Sequence, residues 1–245
     1  MNTFNTVEKM KAMRMNAMAD VYHQSLTQNI YRDMNQDEFT ALMVDSEWED
    51  RQHRKIARLI TNAEFQTYAS PQDIDYTSAR KLDKMLVQRL LSLTFMKSNE
   101  NIIITGPTGV GKSYLAQAIG NQACQMLHST RYYIASRFFD IARLSKLEGT
   151  YLKMIKKLKK TNLLIIDDFG LSSIDKTDRQ VLLEIIEDRH QKQSTIISSQ
   201  IPVSGWHDLI GEGTIADAIL DRLVYSSHRI ELQGESLRSK QKLSK

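Results

Sequence analysis

The chain has 245 residues, of which 41% are hydrophobic and 25% charged, and this ordinary globular composition allows one large domain with a smaller attachment. No segment approaches the roughly 18 consecutive apolar residues of a membrane span, and residues 1–20 lack the apolar core of a signal peptide. The single cysteine, Cys124, excludes an intramolecular disulfide and a thiolate metal site. We therefore expect a cytoplasmic protein with no membrane partner.

The formal net charge of +4 is distributed unevenly along the chain. Residues 81–160 carry 14 Lys and Arg against 4 Asp and Glu, whereas the segments on either side are slightly acidic. Such a concentration of positive charge is typical of a protein that binds a polyanion. A solvated, lysine-rich surface would give the same pattern, so composition alone leaves both interpretations open.

Residues 1–70 predict a small, all-helical N-terminal domain, which would serve self-association or partner docking. Apolar residues at spacings of three and four are typical of an amphipathic helix, and we expect this stripe to pack in a core rather than form a partner groove. The stripe consists of Met15, Met18, Tyr22, Leu26 and Ile30. A second helical run begins near Gln36, and residues 71–98 predict a linker followed by a helix.

Beyond residue 100, short apolar runs alternate with helical segments, a pattern that predicts a parallel α/β sheet. Runs of four or five apolar residues are typical of strands that are buried on both faces. The predicted strands are 102–105, 132–135, 163–166, 195–199 and 229–232. Residues 99–245 would therefore form a three-layer α/β sandwich around a five-stranded parallel sheet.

A glycine-rich loop follows the first predicted strand, and residues 106–113 match the phosphate-binding pattern G-x-x-x-x-G-K-[ST]. The glycines let backbone N–H groups face phosphate oxygens, and the N-terminus of the next helix adds partial positive charge. Lys112 would bind the β and γ phosphates of ATP, and the Ser113 hydroxyl would be a ligand of Mg²⁺. The predicted nucleotide-binding residues are Gly106, Pro107, Thr108, Gly109, Val110, Gly111, Lys112, Ser113 and Tyr114.

Four lysines further along the chain are spaced so that they share one face of a helix. They are Lys153, Lys156, Lys157 and Lys160. Leu152, Ile155 and Leu158 would form the apolar side of the same helix. The lysines could bind DNA phosphates without sequence preference, although a solvated surface helix is equally compatible with the spacing. Arg137 and Arg143 are weaker DNA-binding candidates on the preceding helix.

The predicted strand 163–166 ends in two adjacent carboxylates, Asp167 and Asp168. Two carboxylates at the end of a buried strand are costly unless a cation compensates their charge. Together with the upstream loop, they predict the second half of an ATPase site. Asp167 would orient Mg²⁺ through its water shell, and Asp168 would position the attacking water. A turn or helix-capping pair is the structural alternative.

These motifs resemble the AAA+ family of ATPases and, within it, the IstB family, the helper ATPases of a class of two-gene bacterial insertion sequences. The resemblance covers essentially the whole chain, including residues 43–48, 73–76, 201–207 and 234–238. The helicase loader DnaC is similar in its ATPase core and in its Gly-Glu-Ser-x-x-Arg type of ending. Too few residues follow Arg222 for the helical lid usual in AAA+ proteins, so the resemblance implies a fold without a full C-terminal lid domain.

The resemblance implies further site residues. Gln200 falls where AAA+ proteins carry a polar sensor of the γ-phosphate, with Ser199 as the alternative. Arg222 matches the arginine finger, which acts on ATP held by a neighbouring subunit, and Arg238 matches the second sensor. Arg222 could instead pair with a nearby aspartate, and Arg238 could be a solvated tail residue. Asp168 departs from typical AAA+ proteins, which have Glu here, although the IstB and DnaC group tends to share the departure. The shorter side chain implies slow, switch-like turnover.

The resemblance also implies a function, namely an ATPase that assembles as a homo-oligomer on double-stranded DNA, with ATP at subunit interfaces, and helps a transposase to use target DNA. ATP and Mg²⁺ would be its cofactors. A DnaC-like helicase loader that binds single-stranded DNA is the main alternative. A DNA-coating protein that senses ATP without hydrolysing it is a second alternative, and a P-loop kinase would leave Arg222, Arg238 and the lysine face without a role.

Overall fold

The structure, a computed structural model, describes residues 3–28, 30–76 and 81–237. The chain divides into two units, Met1–Arg58 and Leu59–Lys245. The division lies inside a long helix rather than in the segment around residue 70 where the sequence pattern changes. Among the described residues, no helix is long and apolar enough to cross a membrane.

The first unit is helical, as the sequence predicted. It contains α1 (Thr3–Ala12), α2 (Asn16–Thr27) and most of α3 (Gln36–Ala63). The predicted apolar stripe is only partly buried, because α2 ends at Thr27 and Ile30 lies beyond it. Met18 and Tyr22 are half-buried, whereas Leu26 and Ile30 are exposed. The expectation that the whole stripe packs in a core was therefore wrong at its C-terminal end.

A buried carboxylate joins α2 to α3 within this unit. Glu47 of α3 accepts hydrogen bonds from the backbone N–H groups of Ala17 (3.1 Å) and Met18 (3.4 Å) in the first turn of α2, where Met15 provides no side-chain cap. Burial raises the pKa of Glu47, but the hydrogen bonds from Arg51 and from the Met18 and Ala17 amides outweigh it, so the net pKa is lowered. Glu47 therefore stays charged and caps α2 from a neighbouring helix.

The second unit is built on one parallel sheet of five strands among the described residues. The strands are β1 (Asn101–Thr105), β2 (Thr130–Ile134), β3 (Leu163–Phe169), β4 (Ser194–Ser199) and β5 (Ser227–Glu231). Their order is β2-β3-β4-β1-β5, and every neighbouring pair is parallel. All five predicted strands are confirmed. The carboxyl ends of β1, β3 and β4 meet at one edge, where parallel α/β sheets bind ligands.

Helices cover both faces of this sheet, which confirms the predicted three-layer sandwich. They are α4 (Lys84–Leu91), α5 (Thr94–Lys97), α6 (Lys112–Gln125), α7 (Ala135–Leu147), α8 (Tyr151–Lys160), α9 (Lys176–Arg189), α10 (Trp206–Ile210) and α11 (Gly213–Val224). Ile102 and Ile104 of β1 join the core on the α6 side, whereas Ile103 joins the core formed with α7 to α11. Strands buried on both faces explain the continuous apolar runs.

Residues 71–98, predicted as a linker followed by a helix, belong to the same unit as the sheet and contain α4 and α5. Three polar side chains of α6 hold the chain just before these residues: Gln117 accepts from the Thr67 amide (3.0 Å), Tyr114 exchanges hydrogen bonds with the Ser70 backbone (3.2 Å), and Asn121 donates to the Ala69 carbonyl (2.9 Å). Further along, Val87, Leu90 and Phe95 are fully buried in the same core as α6. The polar contacts and the apolar burial fix this segment against the helix that follows the glycine-rich loop.

Candidate nucleotide-binding site

The glycine-rich loop connects the central strand β1 to the N-terminus of α6, as its sequence predicted. Three of its glycines have a positive φ, including Gly111 (φ 92°) at the start of α6. Gly106 (φ 146°) and Gly109 (φ 78°) lie in the left-handed region, and a side-chain carbon at either position would overlap its surroundings. At Gly106 it would meet the Leu232 carbonyl, and at Gly109 it would meet the Ser236 hydroxyl. The absence of side chains leaves backbone N–H groups free to approach phosphate oxygens.

Lys112 is buried in the first turn of α6, with 5% of its surface exposed. Its Nζ donates to the carbonyls of Gly106 (2.8 Å) and Pro107 (2.7 Å). A buried ammonium is stabilised by such acceptors, and the loop thus holds a positive charge beside the helix N-terminus. Ser113 is half-buried in the same turn. The glycine cradle, the ammonium and the hydroxyl are the groups that triphosphate binding requires, so the residues fit ATP.

The last described residues of the chain lie against this loop. The Leu232 amide donates to the Thr105 carbonyl (2.8 Å), and the Leu237 amide donates to the Gly109 carbonyl (2.9 Å). The segment after β5 therefore forms one wall of the glycine-rich loop. Arg238, the predicted second sensor, lies outside the described residues.

Tyr114 differs from the other predicted nucleotide-binding residues. Its hydroxyl is engaged with the backbone of Ser70, so the side chain anchors the segment before α4. Val110 is also fully buried, in the core on the α6 side. The side chains of these two residues are therefore structural, and only their backbone groups face the site.

Asp167 lies at the carboxyl end of β3 and is 1% exposed. Both neighbouring strands supply a hydroxyl to its carboxylate: Tyr132 of β2 donates to Oδ2 (2.6 Å), and Ser198 of β4 donates to Oδ1. Burial and the Asp167 charge raise the pKa of Tyr132 well above its ordinary value, so its hydroxyl remains protonated. Neither hydroxyl was predicted, because β2 and β4 contain several polar residues and their sequences do not indicate which of them contacts the end of β3.

Asp168 adopts a left-handed backbone conformation (φ 54°), which is uncommon for residues other than glycine but tolerated by aspartate. The pairing of β3 with β4 is irregular between Ile166 and Phe169, around this residue. The Asp168 amide turns back to donate to Asp167 Oδ1 (3.0 Å). The two carboxylates therefore do not follow the alternation of a regular strand, and backbone strain of this kind is common at functional sites.

The end of β4 holds the candidate γ-phosphate sensor. Ser199 is fully buried, and its hydroxyl donates to the Phe169 carbonyl (2.6 Å) while it accepts from the Ile201 amide (3.0 Å). This hydroxyl is thus occupied in supporting the turn. Gln200 follows directly and is half-buried. Since β4 lies between β1 and β3, Gln200 is at the edge of the sheet shared by the glycine-rich loop and Asp167.

Arg222 of α11 lies near the amino ends of the strands, opposite the end that holds the glycine-rich loop. Its backbone carbonyl accepts from the side chain of Asn101 (3.3 Å), the first residue of β1, whereas the glycine-rich loop follows the last residue of β1, roughly 13 Å along the strand. The guanidinium pairs with Glu187 of α9 (2.9 Å) and donates to the Ala218 carbonyl (2.8 Å). Its ion-pair partner is thus Glu187 rather than a neighbouring aspartate of α11.

The lysine face predicted from the sequence lies on α8, and all four of its lysines are exposed. Ile155 and Leu158 are buried, but Leu152 is 78% exposed, because at 3.6 residues per turn it falls at the margin of the buried face. The expectation for Leu152 was therefore wrong. Lys159 points elsewhere and pairs with Asp188 of α9 (2.8 Å).

A buried arginine fixes the C-terminal end of α8. Arg189 donates to the carbonyls of Leu158 (2.6 Å), Thr161 (2.7 Å) and Ser194. Burial lowers the pKa of Arg189 to about 9, which leaves it protonated at neutral pH. A positive charge at a helix C-terminus is favourable, so Arg189 joins α8 to α9 and to the start of β4.

The two arginines of α7 have different surroundings. Arg143 lies near Asp178 (3.3 Å), Asp140 (3.6 Å) and Asp175 (3.8 Å), so carboxylates offset its charge and reduce its value for binding phosphates. Arg137 is exposed in the first turn of α7, and its charge partly offsets the raised pKa of Tyr132. Arg137 is therefore closer to the nucleotide edge of the sheet than to a separate DNA surface.

A glycine-rich loop between a central parallel strand and a helix, with a buried aspartate two strands away, defines a P-loop nucleotide-binding protein of the AAA+ class. Within that class, the chain belongs to the family described as "IstB-like ATP binding protein", which matches residues 8–245. It is thus an ATP-binding protein of the kind associated with insertion sequences.

Relatives of known context support this assignment. The chain is 40% identical over 237 residues to the putative insertion sequence ATP-binding protein y4pL of Sinorhizobium fredii, with 97% of each chain covered. It is 28% identical over 217 residues to the putative ATP-binding protein of insertion sequence IS21 of Pseudomonas aeruginosa, covering 89% of this chain and 82% of that protein.

Solved structures show the same fold at low identity. The DnaC helicase loader superposes with a TM-score of 0.55 at 16% identity, covering 71% of this chain and 98% of the loader. AMPPCP-bound DnaA from Aquifex aeolicus superposes with a TM-score of 0.59 at 20% identity, covering 74% of this chain and 56% of DnaA. At these identities the likeness concerns the fold alone.

Proposed function

We propose that this chain is an ATPase that assembles on double-stranded DNA and helps a transposase to use target DNA. The observation that supports hydrolysis most directly is the arrangement at the carboxyl edge of the sheet. Lys112, Asp167 and Gln200 follow or adjoin the ends of β1, β3 and β4, which are neighbours in the sheet. An ammonium, a buried carboxylate and an amide, gathered at the carboxyl ends of neighbouring strands, are the groups that phosphoryl transfer to water requires.

The residues of the site have separable roles in this proposal. Lys112 exchanges its two loop carbonyls for β- and γ-phosphate oxygens when ATP binds. Mg²⁺, when bound, neutralises charge on those oxygens, and the Ser113 hydroxyl and the Asp167 carboxylate are the groups that would hold it. Asp168 orients the attacking water, and Gln200 contacts the γ-phosphate. Because an aspartate reaches one methylene less far than a glutamate, we expect turnover to be slow.

Arg222 completes the site from a neighbouring chain. It lies at the edge of the sheet away from its own glycine-rich loop, next to Asn101, so it cannot reach the ATP of its own chain without unfolding. In a head-to-tail homo-oligomer, the same arginine would leave Glu187 and stabilise charge on the phosphate bound next door. Arg238 would contact the nucleotide of its own chain, a role supported by the hydrogen bond between the adjacent Leu237 and Gly109.

The lysine face of α8 is the proposed DNA surface. Lys153, Lys156, Lys157 and Lys160 are exposed on one helix that is fixed at its C-terminal end by Arg189, and lysines on a rigid element bind phosphates by charge alone. Arg137 is a secondary candidate, whereas the carboxylates around Arg143 make it a poor one. Transposase as partner follows from the relatives, whose names place them in insertion sequences.

Fluorescence anisotropy tests this proposal, with duplex and single-stranded DNA of equal length and with or without ATP and Mg²⁺. We expect tight duplex binding only with ATP, and a loss of that binding in Lys112→Ala. A preference for single strands would support a helicase loader, the function named for the structurally similar DnaC. Binding that is indifferent to ATP in both proteins would contradict the proposed coupling of ATP to assembly.

A further inference from the structure

The carboxylate of Asp167 is held from both sides by its neighbouring strands. Oδ1 accepts from the Ser198 hydroxyl and from the Asp168 amide (3.0 Å), whereas Oδ2 accepts from the Tyr132 hydroxyl (2.6 Å). These contacts join three adjacent strands, because β3 lies between β2 and β4. Neither hydroxyl belongs to a motif that defines the nucleotide site.

The two oxygens of Asp167 are held differently. Oδ1 has two donors, one of which is a backbone amide that a side-chain substitution cannot remove. Among the described residues, Oδ2 accepts from one long side chain, which reaches across from the edge strand β2. Each carboxylate oxygen has two lone pairs, so Tyr132 occupies one on Oδ2 and leaves the other available. Without the tyrosine hydroxyl, the carboxylate could rotate about its terminal torsion, which is a soft one.

We propose that Tyr132 is a positioning residue that orients the Asp167 carboxylate for the metal ion of the nucleotide site. This inference rests on the proposed function, in which Asp167 takes part in holding Mg²⁺. Hydrogen-bond partners that orient a ligating carboxylate change metal affinity by about 10- to 100-fold when they are removed. Tyr132 suits this role because its side chain is buried and its hydroxyl donates directly to Oδ2 (2.6 Å).

The ring of Tyr132 has a separate, structural role, which makes a conservative test possible. It lies 6.4 Å from the ring of Phe65, centroid to centroid, in an edge-on arrangement, and Tyr132→Phe preserves that packing. Tyr133→Phe is the matched control. Tyr133 is the next residue of the same strand, and its ring packs against Phe138 on the opposite face of the sheet (5.5 Å). The hydrogen bond from β2 to Asp167 comes from Tyr132 rather than from Tyr133.

The experiment measures metal binding directly as well as turnover. Mn²⁺ binding is followed by electron paramagnetic resonance on the full chain saturated with a non-hydrolysable ATP analogue. Binding of a fluorescent ATP analogue is measured without metal, and the rate of hydrolysis is measured against Mg²⁺ concentration. We expect Tyr132→Phe to weaken Mn²⁺ binding and raise the Mg²⁺ concentration for half-maximal rate by roughly tenfold. Metal-free nucleotide binding and the rate at saturating Mg²⁺ should stay within about twofold, and Tyr133→Phe should match wild type in every measurement.

Two results would overturn the inference. One is Mn²⁺ binding by Tyr132→Phe that equals that of wild type. The other is an equal loss of metal-free nucleotide binding, which would mean that the hydroxyl supports the fold of the site rather than the carboxylate. Failure of the proposed function is a different result, because a wild-type protein that binds Mn²⁺ and the ATP analogue but hydrolyses nothing still reports whether Tyr132 affects metal affinity.

Discussion

Two glycines of the sheet domain have nearly the same backbone angle and different surroundings. Gly109 has φ 78° and Gly149 has φ 71°. A side-chain carbon at Gly109 would overlap the Ser236 hydroxyl, whereas one at Gly149 would have nothing within 4 Å. Both positions favour glycine on conformational grounds, but only Gly109 lies in the glycine-rich loop. Substituting each glycine in turn therefore distinguishes the effect of a left-handed backbone angle, which both positions share, from the effect of crowding, which occurs only at Gly109.

We predict that Gly109→Ala weakens ATP binding at least about tenfold, equivalent to about 1.4 kcal/mol, because the loop must move away from Ser236 and lose its cradle. Gly149→Ala should leave ATP affinity within about twofold, since it adds only the local strain of a left-handed alanine, about 1–2 kcal/mol of stability. Titration of a fluorescent ATP analogue measures both variants. Equal affinities would show that crowding by Ser236 does not matter.

At this scale, candidate residues within a contiguous motif could be predicted from the sequence, whereas contacts that depend on strand order could not. Lys112 was predicted because it ends a glycine-rich loop motif, and Asp167 because it follows an apolar strand. Tyr132 was not, because its contact with Asp167 spans 35 positions of the chain and exists only if β2 and β3 are neighbours. Tyr114 was assigned to the nucleotide from its position alone, and the structure directs its hydroxyl to Ser70.

At the scale of elements, α8 carries both the exposed lysine face and a lysine that forms an ion pair with α9. Lys156 belongs to the exposed lysine face, and Lys159 pairs with Asp188 on the side of α9. The helix also has a fixed C-terminal end, because Arg189 binds its last carbonyls. Lysine substitutions on α8 are therefore expected to leave the position of the helix unchanged, so their effects on DNA binding can be compared directly.

We predict that Lys156→Ala lowers the slope of log affinity against log salt for duplex DNA by about 0.9, the contribution of one released counterion. Lys159→Ala should leave the slope unchanged, since its charge is already offset by Asp188 and directed away from the proposed DNA surface. Anisotropy titrations at several salt concentrations measure the slopes. Equal reductions in the two variants would contradict the assignment of DNA binding to one face of α8.

The strands were predicted from their apolar runs, which are clearest where a strand is buried on both faces. β1, β3 and β4 are almost entirely buried, whereas the edge strands β2 and β5 are only partly buried. Residues 71–98 were predicted to form a linker followed by a helix, and the structure has helices at Lys84–Leu91 and Thr94–Lys97. The full burial of Val87, Leu90 and Phe95 against the core on the α6 side was not predicted, because a sequence pattern does not reveal which elements pack together.

At the scale of the whole molecule, the candidate site residues lie at opposite ends of the strands. The glycine-rich loop, Asp167 and Gln200 lie at the carboxyl edge, and Arg222 lies beside the amino end of β1. If hydrolysis requires both, then two chains must contribute to each active site. A chain that lacks Lys112 can still offer its arginine, and a chain that lacks Arg222 can still bind ATP.

We therefore predict that Lys112→Ala and Arg222→Ala are each inactive alone and partly active when mixed. Equal amounts should restore up to about a quarter of the wild-type rate, because random head-to-tail pairing joins an intact loop to an intact arginine at that fraction of interfaces. The recovery should fall below this bound where assembly itself needs ATP in every subunit. The measurement is ATP hydrolysis on duplex DNA with the total protein concentration held constant. Arg222→Ala that hydrolyses ATP normally by itself would show that the arginine does not act on a neighbouring site.

The placement of Arg222 also gives any open assembly a direction. A head-to-tail row has two unlike ends: at one, a subunit exposes an arginine with no phosphate to meet, and at the other, a subunit holds ATP with no arginine to act on it. The nucleotide at that second end would be the last to be hydrolysed. The terminal subunit there would therefore keep its ATP longest. A closed ring has no such tip, so the persistence of one ATP per assembly would distinguish a filament from a ring.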